Sequence, residues 1–219
     1  MTTQTIAEQS AAFQRDVVAK APAEVSGPFL DEQAGLAAAG PPAGVPAPGA
    51  PMPDGALLDV HGAPTTLTEV RRGRPAVVVF YRGAWCPFCN FALRTYQQEI
   101  LPELTARGIA LVAVSPQKPD GSLSMRDTHE LTFEVVSDPG NQIAGQLGIL
   151  TEPTAPARGA QAALGIDVAA ANSDGTATLP MPTVVLVDAA GTIRWIDVHP
   201  DYTSRTEAAE IRTALHTLG

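Results

Sequence analysis

Apolar residues fall into two alternating patterns along this chain, and the alternation predicts its architecture. Residues 77–81 (Val-Val-Val-Phe-Tyr) and 109–114 (Ile-Ala-Leu-Val-Ala-Val) are continuous apolar runs, as expected of strands buried on both faces of a sheet. Between them Leu93, Tyr96, Ile100 and Leu104 recur at spacings of three and four, the period of a helix with one apolar face. Shorter runs at 56–60 and 65–67 flank the turn His61-Gly62, and 133–136 reads as a further short strand. Asp138 and Pro139 supply an N-cap and a first helical residue for a helix over 140–147. Residues 183–188 and 192–198, joined by Ala189-Ala190-Gly191, predict a β-hairpin. A closing helix follows, with Ser204 and Glu207 at capping-box spacing and Ala208, Ile211, Leu215 and Leu218 as its apolar stripe.

The flanking segments differ. Residues 1–39 read as a helical, peripheral extension in which Thr5 and Glu8 have capping-box spacing and Ile6, Phe13 and Val17 share a face. In the stretch 40–53, nine of fourteen residues are Gly or Pro, so it is an extended linker. The compact domain is expected over 54–219. Its long segment 148–180 shows no sustained period and is either a functional flap or partly ordered decoration.

Composition narrows the class. With 45% hydrophobic residues in 219, the chain can bury a substantial core, and no run approaches the length of a membrane span. A net charge of −9 argues against nucleic-acid binding, and the cluster Arg71, Arg72 and Arg74 is expected to be a solvated turn. The first residues have neither a basic nor an apolar leader region, so a cytoplasmic location is expected.

The chemistry is concentrated in the chain's two cysteines, Cys86-Pro87-Phe88-Cys89. They fall at the strand-to-helix junction, with Pro87 at the first helical position. A helix N-terminus favours an anion, so the Cys86 thiolate is expected to be stabilised and its pKa depressed. Half of a zinc site is a poor reading, because the chain has no third cysteine and its four histidines are scattered singly. A structural staple closing so short a loop would add little stability. Redox chemistry is the better reading, with no metal and no cofactor.

The residues 80–89 (Phe-Tyr-Arg-Gly-Ala-Trp-Cys-Pro-Phe-Cys) resemble the peroxiredoxin-like branch of the alkyl hydroperoxide reductase/thiol-specific antioxidant family. So do residues 114–117, 137–141 and 164–167, and the pair Asp201-Tyr202. The resemblance implies a thioredoxin-like α/β fold with a central mixed sheet flanked by helices. It also implies a thiol-dependent peroxide reductase in which Cys86 is the nucleophile and Cys89 the resolving thiol. The partners it implies are a hydroperoxide or disulfide substrate and an external thiol reductant, with a homodimer as one assembly open to it. Residues 82–85 (Arg-Gly-Ala-Trp) depart from the usual peroxide-binding stretch and are closer to thioredoxin. Met181-Pro182-Thr183 likewise resembles thioredoxin's cis-proline loop. The alternative function is therefore thiol-disulfide exchange, with Pro182 cis and the Met181 backbone presented to a substrate chain. Arg82 is a candidate to lower the Cys86 pKa or hold a peroxide oxygen, and Trp85 to shield one side of the sulfur. His129, His199, Asp201 and Tyr202 are set aside as surface residues.

Overall fold

The computed structural model describes residues 4–218, so residues 1–3, on which the absence of a leader was read, and Gly219 lie outside it. Two helices open the chain, α1 (Ile6–Lys20) and α2 (Ala23–Ala39). The expected capping box at the start of α1 is present in both directions: Thr5 Oγ1 accepts from the Glu8 N–H, and the Glu8 carboxylate accepts from the Thr5 N–H.

The sheet is assembled from β1 (Ala56–Leu58), β2 (Pro64–Thr66), β3 (Ala76–Phe80), β4 (Ala110–Ser115), β5 (Glu134–Ser137), a short side pair β6 (Leu150–Thr151) and β7 (Leu179–Pro180), then β8 (Thr183–Val187) and β9 (Ile193–Val198). Seven strands form one mixed sheet in the order β2-β1-β5-β4-β3-β8-β9; β3 runs parallel to β4, and β4 to β5, while β8 is antiparallel to β3. Successive side chains of β3 and β4 enter opposite cores. Val77, Val79, Leu111 and Ala113 join one apolar cluster, and Ala76, Val78, Phe80, Val112 and Val114 the other. A strand whose alternate residues are both buried has no polar position to show, which is why these runs read as unbroken apolar stretches.

After β3, the chain enters α4 (Pro87–Thr95), passes through one π turn at Tyr96–Ile100 and continues as α5 (Leu101–Ala106). Pro102 has no N–H to return to the preceding turn, and the wider turn upstream of it accommodates that loss. The predicted stripe holds across the irregularity: Leu93, Tyr96, Ile100 and Leu104 are all buried. The closing helix α10, Ala208–Ala214 in the structure, packs near the π turn, and the Tyr96 hydroxyl donates to the Thr206 carbonyl at 2.6 Å.

Several elements differ from expectation. Three helices precede or cross between strands without strong periodicity: α3 (Leu67–Arg71), α6 (Pro119–Thr128) and α7 (Gln142–Gln146). Helix α7 starts later than the 140–147 reading, with Asn141 in the left-handed conformation at its cap. Asp138 still caps it from further back, accepting from the Gln142 and Ile143 N–H groups. Segment 148–180 holds two helices, α8 (Ala155–Ala163) and α9 (Val168–Ala171), capped by Thr154 and Asp167. Its α8 packs on α2 with Ala157, Ala160 and Gln161 buried. The closing helix is capped by Glu207 with Glu210, and Ser204 is spent elsewhere, on His199 and the Asp201 carbonyl. Arg71 is not in a solvated turn. It is buried and donates to the Asp188 carbonyl at 2.8 Å.

The N-terminal segment is helical but not peripheral. Ile6 is fully buried, and Phe13 meets Phe88 and Phe91 edge-on, with ring centroids 5.5 and 5.9 Å apart. The segment 40–53 carries no helix or multi-residue strand, yet it lies on the domain: the Gly49 N–H donates to the Ile193 carbonyl, the Ile193 N–H donates to the Ala50 carbonyl, and Pro51 bridges Thr192.

Candidate active site

The CxxC turn forms where β3 ends. Cys86 is the N-cap of α4 and Pro87 its first residue, as the sequence predicts. Gly83, at φ 154°, lets the chain fold back under Trp85; a Cβ there would sit 2.5 Å from the indole nitrogen. Gln117, buried at the end of β4, ties the turn down, accepting from the Ala84 N–H at 2.9 Å and donating to the Tyr81 hydroxyl at 3.2 Å.

Both cysteines are reduced and buried, and their surroundings differ. The Cys89 sulfur receives the Arg82 N–H at 3.4 Å and an Arg205 guanidinium N–H at 3.1 Å; the same Arg205 nitrogen is 3.8 Å from the Cys86 sulfur. The N–H groups of Cys89 and Asn90 donate to the Cys86 carbonyl, and no helix N–H caps the Cys86 side chain. The helix terminus therefore does not deliver the expected stabilisation to Cys86.

Burial opposes charge on both sulfurs. For Cys89 that cost is outweighed by the hydrogen bond from Cys86, the charge of Arg205 and the Arg82 N–H, which hold it well below the usual thiol range. Cys86 is pushed well above that range, by burial first and then by the hydrogen bond and charge of Cys89; Arg82 and Arg205 offset this only in part. The donors on the Cys89 sulfur thus favour the negative charge there and the proton on Cys86, the reverse of the depressed Cys86 thiol expected from position alone.

A cavity of about 250 Å³ opens above the turn. Its floor carries Cys86, Arg82, Trp85 and Tyr202; its walls come from α1 and α2 on one side and from Leu164 and Ile166 on the other. Cys89 does not line it and is 0% exposed. Arg82 is buried with its guanidinium carbon 3.8 Å from the Tyr202 ring centroid and 5.1 Å from that of Trp85.

Of the residues singled out in sequence, Cys86, Cys89, Arg82 and Trp85 are brought together. Met181 and Pro182 are not part of this cavity. No peptide bond is cis among the described residues, so Pro182 is trans. Strand pairing explains this: the Met181 N–H donates to the Ile149 carbonyl, its carbonyl accepts the Thr183 hydroxyl, and the Pro182 carbonyl accepts from His199. The chain runs extended from β7 into β8, and the Met181 backbone has no free groups for a docked substrate chain.

Tyr202 and Arg205 were missed. Tyr202 is buried on Arg82, and burial pushes its phenol well up from the usual value. A signal existed in Asp201-Tyr202, which resembles the family, but a tyrosine in a turn gives no local sign of burial. Arg205 gave none at all. It reaches the sulfurs because its other guanidinium nitrogen donates to the Tyr202 and Ser204 carbonyls, bracing the loop that presents it. His199 is the other residue set aside that does work, bridging Asp197 and Ser204 at 2.9 and 2.8 Å behind this loop.

The sheet order defines a thioredoxin-type fold, with the two cysteines of the CxxC close together just after β3. Solved structures agree on the fold. Reduced Prx3 of Vibrio vulnificus in complex with hydrogen peroxide aligns at TM-score 0.61 and 17% identity, covering 78% of this chain and 99% of that one. Peroxidoxin BcpB of Mycobacterium tuberculosis aligns at 0.57 and 19%, covering 78% and 95%. The family follows from sequence: the AhpC/TSA family model matches residues 48–196, and the chain belongs to that family. A Mycobacterium tuberculosis protein that carries the peroxiredoxin name is 32% identical over 105 residues, spanning 48% of this chain and 66% of that relative. The family match begins at residue 48, so α1 and α2 lie outside it.

Proposed function

We propose that the protein is a thiol-dependent peroxide reductase in which Cys86 attacks the peroxide and Cys89 resolves the product. The observation that carries this reading is the division between the sulfurs: Cys86 lines the cavity, and Cys89 lies behind it against Arg205.

That division supplies a proton path. As Cys86 attacks the terminal peroxide oxygen, its S–H proton passes to the Cys89 thiolate. The O–O bond breaks, leaving Cys86 as a sulfenic acid and an alkoxide or hydroxide that takes the proton back from Cys89. Cys89, again a thiolate, attacks the Cys86 sulfur, and hydroxide leaves to be protonated to water. An external thiol then reduces the disulfide by exchange. Arg205 stabilises the Cys89 thiolate that accepts the proton in the first step and attacks in the second, and Arg82 offers a cation beside the peroxide oxygens.

Family membership supports a peroxidase or another thioredoxin-fold redox enzyme. The occupied Met181 backbone weighs against the thiol-disulfide alternative, which needs that loop as a docking strand. The test is Cys89→Ser treated with one equivalent of hydroperoxide and a sulfenic-acid trap. Mass spectrometry should find the adduct on Cys86. An adduct on Cys89 in Cys86→Ser, with none on Cys86 in Cys89→Ser, would exchange the two roles.

A further inference from the structure

We infer that the cavity above Cys86 is a binding site for an apolar carboxylate, whose anion pairs with Arg82 and whose body lies against the N-terminal helices. Two buried guanidinium groups stand at this site, and only one has an anion. Arg205 is committed to Cys89. Arg82 is 4% exposed, its Nε has no hydrogen-bond partner, and it forms no ion pair among the described residues. A buried cation held only by two aromatic rings retains most of its desolvation cost, and an arriving carboxylate recovers it through paired N–H···O bonds.

The rest of the lining selects for the class. Arg82 is the one charged side chain among the residues lining the cavity, in a chain whose net charge is −9. Phe13, Val17, Phe29, Leu30, Phe88 and Leu164 supply apolar walls. Four large apolar side chains stand exposed among the described residues, and three of them, Val18, Leu30 and Leu164, belong to this cavity. An apolar mouth with a lone cation at its floor matches an amphipathic anion and disfavours inorganic anions, which would lose their hydration against these walls. The walls from α1 and α2 lie outside the family match, so the appended helices add part of the apolar lining to a cation that the matched region supplies.

The test uses octanoate and its neutral counterpart octan-1-ol with the reduced full-length protein, followed by calorimetry without any peroxide. Its outcome is therefore independent of whether the protein reduces peroxides. Octanoate should bind about tenfold more tightly than octanol, the scale of one charge-assisted pair, and should slow iodoacetamide alkylation of Cys86. Arg82→Met should abolish the difference, whereas Arg82→Lys should keep part of it. Leu164→Ser, at an exposed rim position, should weaken both ligands alike. If Arg82→Met does not fold, the wild-type octanoate-to-octanol ratio together with Arg82→Lys and Leu164→Ser decides the matter. Equal binding of the two ligands, no binding of either, or an unchanged ratio in a folded Arg82→Met would overturn the inference.

Discussion

The turn that carries the cysteines and the cover that surrounds it are built on different principles. The turn is local: strand, Cys86 at the cap, Pro87 and an amphipathic helix follow one another within the 31 residues from Ala76 to Ala106, and each follows from its own sequence. The cover is assembled from far away. Arg205 is 119 residues from Cys86, and Phe13 reaches Phe88 from the opposite end of the chain. The turn fixes which atoms react. The cover decides which of the two sulfurs is charged and what can approach it.

The comparison is broken most severely by removing the distant cation. In Arg205→Met the Cys89 thiolate loses its partner, so the first thiol of the pair should titrate at higher pH. The sign is that of a depressed acid: the anion is present above the folded pKa and lost as pH falls through it, and raising that pKa narrows the range over which the pair is anionic. At neutral pH the rate of peroxide oxidation, followed by stopped flow, should fall about tenfold once the Cys89 pKa stands about one unit above that pH, since each further unit is then a factor of ten in thiolate. Arg205→Lys should recover part of the rate with a shifted pH profile, which a merely structural residue would not show. An unchanged pH profile in Arg205→Met would mean that the turn alone sets the charge.

A milder break is at the aromatic contact between cover and turn. Phe13→Ala removes a half-buried ring packed edge-on against Phe88 and Phe91, and chemical denaturation should show a loss of about 2 kcal/mol. No loss would show that α1 rests on the domain without stabilising it. The smallest effect is expected at the start of the same helix. Thr5→Ala removes the side-chain half of the capping box and should cost about 0.5–1 kcal/mol, read from the same denaturation curves. Thr5→Asp, which restores an acceptor, should recover most of it.

The same contrast separates what the sequence reveals from what it hides. β3, β4, α4 and the β8–β9 hairpin announce themselves, because burial on one or both faces leaves a period in the residues that form them. The capping box of α1 is legible because its two partners are three residues apart. Helix α8 is hidden because it packs on α2 with small residues, so alanine occupies both buried and exposed positions and no hydrophobic period results. Asp138 was readable as a cap, but the left-handed turn at Asn141 that displaces the helix start was not. Pro182 shows the opposite failure. A short motif matched a known loop, while the pairing that holds it extended comes from Ile149 and His199, far along the chain. Arg205 and Tyr202 became visible only when the fold brought residues 202–205 over the turn.

The central claim is that the reduced pair keeps its charge on Cys89 and its proton on Cys86. Thiolate absorbance near 240 nm against pH, measured in the two single variants, tests it most directly. Cys86→Ser should retain a thiolate step below the ordinary thiol range, because Arg205 and the Arg82 N–H still face Cys89. In Cys89→Ser the remaining Cys86 should titrate at distinctly higher pH. A low-pH step that survives in Cys89→Ser and disappears in Cys86→Ser would contradict the account and return the charge to the helix terminus.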